Sequence, residues 1–265
     1  MALDFAKLLD ELRQESEELL ACLDGLDAAQ WEQPTPAACW AIRDQVSHLA
    51  YFDDIAVLAM IDAPAFRRTA EDLVDRGTDF PDIVAAEHRS LSAAELADWF
   101  SLSRGKLLTT FADQEPRRRL PWFGPDMSVA SSATARLMET WAHGQDVYDA
   151  LGRPHPPCSG LRSIAHLGVS TFAFSFGLHG RAVPEDPVCV VLDSPDGDDT
   201  WVWGPEDAAN RVSGPAEDFV AVITQRRHWA GTALRAEGEI ASGWLDIAQA
   251  FAGAPGPGRK KTVTR

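Results

Sequence analysis

Three side chains in this sequence have the types and spacing to hold a metal ion. His48 lies in WAIRDQVSHLAYFDDIAVLA, and Glu139 and His143 lie in ARLMETWAHGQDVYDALG. Glu139 and His143 are four residues apart, so on a helix they project from one face, a turn from each other. With His48 alongside they make a set of two imidazoles and one carboxylate. That ligand complement leaves zinc or a similar divalent ion one position open to water or substrate.

The elements that must position these groups read as helices. His48 shares its helical face with Phe52, Ile55 and Ala59, which points it into a core. A hydrogen-bonded core histidine satisfies that pattern as well as a ligand does. Glu139 and His143 lie opposite the bulky stripe of Leu137, Trp141, Tyr148 and Leu151, and a solvated pair worth about 0.2–0.5 kcal/mol would fit them too. Two features favour the metal. Ala135, Ala142 and Ala150 flank the pair with small side chains, as in a helix buried on both sides, and Asp146, one turn beyond His143, can orient an imidazole from behind.

Four long helices are expected, over 3–24, 40–61, 92–111 and 129–151, forming a four-helix bundle. Ser92 and Glu95 read as a capping box opening the third. The connection 62–91 is too long for a turn and should hold short helical pieces or a lid. After GRPHPPCSG the pattern breaks. A helix over 161–178 is followed by a period of two in VCVVLD (188–193) and TWVW (200–203), joined by SPDGDD. RVSG (211–214) and TALRAEG (232–238) read as further strands. PAEDFVAVITQRRHW (215–229) and IASGWLDIAQAFAG (240–253) read as helices. The fold class is therefore α+β with two domains: a bundle over 1–155, a small α+β domain over 156–254, and a flexible basic tail over 255–265.

Composition narrows the function. The 265 residues carry a formal net charge of −16, which disfavours nucleic acid and anionic membranes as partners because both would repel the surface. No stretch approaches the about 18–20 apolar residues of a membrane span, and the charged N-terminus lacks a signal-peptide core, so a cytoplasmic protein is expected. Cys22, Cys39, Cys158 and Cys189 show no close pairing, as reduced structural thiols would.

The run W-x-x-R-D-x-x-x-H-L from Trp40 to Leu49, followed by E-x-x-x-H-x-x-D from Glu139 to Asp146 and then A-L-G, resembles the DinB-like metal-binding bundles. It looks closest to their mycothiol-dependent maleylpyruvate isomerase branch; other branches place a third histidine where this chain has Glu139. VSGPAEDFVAVITQRRHW…LRAEGEIASGWL is similar to the sterol-carrier-protein-like domain that follows the bundle in those isomerases. The resemblance implies a divalent ion, most often zinc with nickel or iron as alternatives, held by His48, Glu139 and His143, with mycothiol as thiol cosubstrate. The 62–91 connection and the AQAFAGAPGPGRKK end depart from the isomerases and look like an uncharacterised metal-binding subgroup.

The chemistry so implied is an isomerase or thiol S-transferase acting on a small anionic or electrophilic molecule. A metal with an open position lowers the pKa of a thiol, and the thiolate adds to an activated double bond. In an acidic protein an anionic substrate needs a cation. Arg226 and Arg227, at the expected end of a second-domain helix, are the candidates, since the isomerases use an arginine in this domain and guanidinium grips carboxylates bidentately. A basic helix terminus complementing the helix dipole explains the same residues. Arg43 and Asp44 read as structural contacts, and His179 and Arg181 as residues that could line a domain interface. The competing reading is a non-catalytic metal-binding protein, monomer or homodimer, whose second domain binds an apolar small molecule among Trp201, Trp203, Trp229 and Trp244.

Overall fold

The computed structural model describes residues 4–253 and Pro255. The chain divides into two compact units, Met1–Pro156 and Pro157–Arg265. Apart from Pro255, the basic tail expected over 255–265 lies outside the described residues.

The first unit is built on α1 (Phe5–Leu23), α3 (Ile42–Ile61), α6 (Ala93–Ala112) and α7 (Val129–Leu151). Each begins where a side chain accepts an otherwise unpaired backbone N–H. Asp4 accepts from Lys7 and Ser128 from Ser131, both at 3.0 Å, and Ser92 and Glu95 form the expected capping box. The residue before α3 is Ala41, which has no capping group. Asp44 serves instead, its carboxylate accepting the Ala41 N–H at 2.8 Å while Arg89 grips its other side at 2.9 Å. Gly152, in the left-handed conformation (φ 64°), closes α7, and the Arg153 N–H bonds back to the Tyr148 carbonyl at 3.0 Å.

α3 packs against α6 and α7, and α1 against α7 and α6. The apolar centre includes Leu19, Ile42, Leu49, Phe100 and Val147. A charged layer crosses it. Asp53 of α3 accepts from Arg104 of α6 at 2.7 and 3.2 Å and from Arg136 of α7 at 3.0 Å. Arg104 reaches on to Thr140 of α7 at 3.0 Å and to Ser16 of α1. All four long helices thus meet in one buried network. Burial pulls the Arg104 guanidinium below its ordinary value, and the Asp53 carboxylate opposes that shift.

The segment 62–91 forms α4 (Ala63–Asp75) and α5 (Phe80–Glu87), linked helices as expected. Phe66 of α4 joins Phe52, Ile55 and Ala59 in a second apolar cluster. Two small elements escaped the sequence patterns: α2 (Ala28–Trp31), and a hairpin of β1 (Arg119–Leu120) with β2 (Met127–Ser128). Neither is long enough to show a period.

In the second unit, β3 (Val188–Asp193), β4 (Thr200–Trp203), β5 (Asn210–Pro215) and β6 (Arg235–Glu237) form one sheet in the order β4-β3-β5-β6. β3 and β5 are parallel and the other pairs antiparallel. The helix expected over 161–178 is two, α8 (Leu161–Ser170) and α9 (Phe172–Leu178), broken at Thr171, whose hydroxyl bonds to the Gly168 carbonyl at 2.9 Å. α8 lies on α10 (Ala216–Ile223). At Gly168 an added Cβ would sit 2.2 Å from the Ile223 Cδ1, so this crossing needs glycine or a shifted Ile223. The helices expected over 215–229 and 240–253 are shorter, the second being α11 (Glu239–Leu245).

Removing Asp53 would leave two buried guanidiniums without the carboxylate that hydrogen-bonds both of them. Asp53→Ala is expected to destabilise the protein by about 3–5 kcal/mol, read as a lowered denaturation midpoint at unchanged m-value. A midpoint shift below 1 kcal/mol (about the value of an exposed pair) would show that the network is not what holds the helices.

Candidate metal centre

The packing of α3 on α7 brings the three expected ligands together. His48 Nε2 lies 3.7 Å from Glu139 Oε2, and His143 Nε2 lies 3.1 Å from the same oxygen. One donor atom from each residue falls within 4.8 Å of the others. A tetrahedral ion with bonds of about 2.0–2.2 Å places neighbouring donors about 3.3–3.5 Å apart. The two distances to Glu139 bracket that separation, and the donor set is one that suits a divalent ion. Among the described residues no fourth His, Cys, Asp or Glu joins the cluster.

The histidine side chains are 11% exposed and that of Glu139 is 22% exposed, so the cluster is sheltered but reachable on the carboxylate side. Burial would raise the Glu139 carboxyl, yet hydrogen bonds from His143 and His48, with the charges of those rings, hold it well below the usual carboxylate range. Glu139 is therefore a carboxylate at neutral pH.

The orientation of His143 comes from a residue that sequence reasoning passed over. Gln45, three residues before His48 on α3, accepts from His143 Nδ1 at 2.5 Å through its Oε1. Its amide nitrogen donates to Thr35 Oγ1 at 2.8 Å, and the Thr35 hydroxyl donates to the Trp40 carbonyl, also at 2.8 Å. With the amide so committed, Nδ1 is the donor toward Gln45, and Nε2 is left for the cluster, donating to Glu139 while the ring is protonated and offering a lone pair once that proton is given up. The sequence signal is the placement of Gln45 one turn from His48 on the same helical face, which gains its meaning only when α7 delivers His143 to it.

Aromatic rings enclose the imidazoles. Trp40 stacks on His143 with centroids 5.8 Å apart and planes 19° apart, and Phe52 lies 4.6 Å from His48. Trp40 is itself fixed by its Nε1–H, which donates to Asp82 of α5 at 2.5 Å.

Asp146, one turn beyond His143 on α7, is fully buried. Arg226 and Arg227 belong to the second unit and do not end a helix as expected. α10 stops at Ile223 because Gln225 takes a left-handed conformation (φ 58°). The Arg226 N–H then bonds to the Ala221 carbonyl at 2.7 Å and the Gln225 N–H to Val222 at 2.9 Å, the paired bonds of a Schellman closure. Glutamine there gives no sequence signal, unlike the glycine usual at such stops. Arg226 Nη1 donates to the Thr224 carbonyl and Arg227 Nη1 to that of Arg226, at 2.8 and 2.9 Å. His179 and Arg181 follow α9, with Arg181 exposed. Arg43 pairs with Glu32, a structural contact as expected. The tryptophans do not form a cage: Trp244 is core against Phe172 and Phe219, Trp229 bonds to Asp246, Trp203 to His166, and Trp201 lies under Arg162. All four cysteines are free, with Cys39 exposed.

The family described as "Mycothiol maleylpyruvate isomerase N-terminal domain" matches residues 12–148, a span that includes His48, Glu139 and His143. The chain belongs to this family. Among curated relatives, uncharacterized proteins from two strains of Mycobacterium tuberculosis are each 47% identical over 249 residues, 94% of this chain and 96% of theirs. Among solved structures, the mycothiol-dependent maleylpyruvate isomerase superposes with a TM-score of 0.58 at 14% identity, covering 88% of this chain and 93% of that one. A histidine-to-alanine mutant of that enzyme gives 0.57 at 16% identity, with coverages of 85% and 90%. The likeness is one of fold: a helical bundle followed by a small sheet-containing unit.

The Gln45–His143 bond carries a testable consequence. Gln45→Leu keeps the side chain's bulk but leaves His143 Nδ1 without its acceptor, so affinity for zinc should fall about 10–100-fold. Competition with a chromogenic chelator measures this, with helical content by circular dichroism unchanged. Wild-type affinity in that variant would mean the amide has no part in the site.

Proposed function

We propose that the chain is a divalent-metal-dependent enzyme that uses a small thiol, mycothiol, as nucleophile against a small anionic or electrophilic molecule, giving isomerisation or thiol transfer. The observation that carries this reading is the convergence of His48, Glu139 and His143 with no fourth protein ligand among the described residues. A structural zinc site is closed by four protein ligands, whereas a catalytic one keeps a position open. Membership of the family and the fold shared with the solved isomerase point the same way.

When bound, the ion would supply Lewis acidity that brings a thiol's pKa into the neutral range. The protein's own groups do the rest. Glu139 contributes negative charge and is ionised before any ion arrives. Gln45 fixes one imidazole, and the Trp40 and Phe52 rings keep bulk water from the nitrogens. Asp146, fully buried a turn from His143, is assigned an electrostatic role behind the ligands. By resemblance, Arg226 and Arg227 are the proposed grip for a substrate carboxylate.

The protein is proposed to act in the cytoplasm on a small molecule, without nucleic-acid or membrane partners, as a monomer or homodimer. No helix among the described residues is long and apolar enough to cross a membrane, and the net charge of −16 disfavours polyanions.

Elemental analysis of purified protein beside the His48→Ala/His143→Ala double variant tests the reading. About one zinc, nickel or iron per chain is expected in the wild type and none in the variant, together with metal-dependent consumption of mycothiol in the presence of maleylpyruvate or another electrophile. A wild type that takes up no metal even on reconstitution would sink the catalytic assignment.

A further inference from the structure

The stretch that closes the first unit, residues 152–156, carries an imidazole seated in the bundle. His155 lies in the groove between α1 and α7, its ring centre 5.4 Å from that of Trp141 and 4.6 Å from that of Tyr148. Gly144 leaves the floor of this slot open. A Cβ there would stand 3.5 Å from His155 Nε2, so a longer side chain would fill the place of the ring. Trp141, Gly144 and Tyr148 share the side of α7 away from Glu139 and His143. The slot is thus the back of the helix that carries two of the metal-centre residues.

Both nitrogens of the ring face acceptors. Nδ1 is 2.8 Å from the Pro156 carbonyl, which can only accept, so Nδ1 carries a proton. Nε2 is 3.2 Å from Glu15 Oε1, and the two side chains are 8% and 4% exposed. A neutral imidazole with its proton on Nδ1 would turn a lone pair toward the carboxylate. One further proton, on Nε2 or on Glu15, removes that repulsion and binds the two groups together. The surrounding groups have partners of their own. The Arg104 guanidinium of α6 also feels the Glu15 charge. Burial, then Cys22, Glu15 and Glu18 of α1, raise the Tyr148 phenol, which stays protonated and donates to the Glu18 carbonyl at 3.2 Å. Arg153 donates to the Cys22 carbonyl at 3.3 Å, and Glu11, a turn before Glu15, pairs with Lys7 at 3.7 Å.

We propose that His155 is a proton-dependent anchor for the chain where it leaves the bundle. With the shared proton in place the ring stays in the slot. When that proton passes to water the ring swings out, and the chain is released beyond Arg153. The sign follows from the charges. The contact is complete below neutral pH and fails as pH rises, because the lost proton leaves a lone pair against a buried carboxylate. Stacking on Trp141 and Tyr148 weakens in the same direction, since a ring face attracts a cation more than a neutral ring. Arg153 keeps its place, because its N–H bonds to the Tyr148 carbonyl and its guanidinium does not titrate.

Proton NMR of the full chain, labelled in its histidine rings, tests this. The rings of Trp141 and Tyr148 displace the His155 ring-proton signals from their free positions while the imidazole is seated, and His155→Asn identifies those signals by their loss. Through a titration from about pH 5 to about pH 9, spanning an ordinary imidazole, the wild-type signals should move from displaced to free positions. In Glu15→Gln the amide can donate to a neutral Nε2, so the signals should stay displaced throughout. In Gly144→Leu the slot is filled, and they should sit at free positions throughout. Should that variant fail to fold, the wild type and Glu15→Gln decide alone. Wild-type signals that do not move between the two positions, or release in Glu15→Gln at the same pH as in the wild type, would overturn the anchor.

Discussion

The donor cluster depends on holding two helices at a fixed distance and rotation, and the buried carboxylate of Asp53 is what fixes them. Asp53 lies on the same helix as His48, and Arg136 on the same helix as Glu139 and His143. Their bond spans the same gap across which His48 faces Glu139. Apolar packing alone is non-directional, so two helices bound only by Leu and Val can slide or turn at small cost. A carboxylate accepting from two guanidiniums tolerates no such movement, because a broken bond leaves a bare charge in a medium that cannot solvate it. Thr140, next to Glu139, accepts from Arg104 and ties α6 into the same frame.

A second, smaller device refines the first. The turn before α3 folds back so that Thr35 satisfies both the Trp40 carbonyl and the Gln45 amide. One short loop thereby fixes the ring that covers His143 and the amide that sets its tautomer. Asp44 completes it by capping the helix and gripping Arg89. The helix start is thus organised around the site, and the lack of a capping side chain at Ala41 is made good from within the first turn.

The sequence displayed what is periodic or local. The four long helices, the Ser92–Glu95 box, the strands at 188–193 and 200–203, and the i,i+4 placement of Glu139 and His143 all follow from spacing. It did not display what depends on contacts between distant residues. Gln45 matters only because α7 delivers His143 to it. The contacts of Phe80 and Phe123 with Phe52 exist only because α5 and a hairpin of two-residue strands pack against α3. α10 ends at a non-glycine left-handed residue, Gln225, whose cost is carried by two backbone bonds rather than announced by composition. The break at Thr171 is equally silent, a hydroxyl competing for a carbonyl inside an otherwise apolar run.

These layers divide the chemistry between parts of the fold that can vary separately. The ligands and the Asp53 network lie on the long bundle helices, where any displacement is felt by every partner. Phe80 and Phe123 lie on α5 and the β1–β2 hairpin, short elements that pack on the apolar cluster of Phe52, Ile55, Ala59 and Phe66. Apolar contacts accept changes of side chain that a buried ion network does not. The donor cluster can therefore stay constant while the side chains of these shorter elements change.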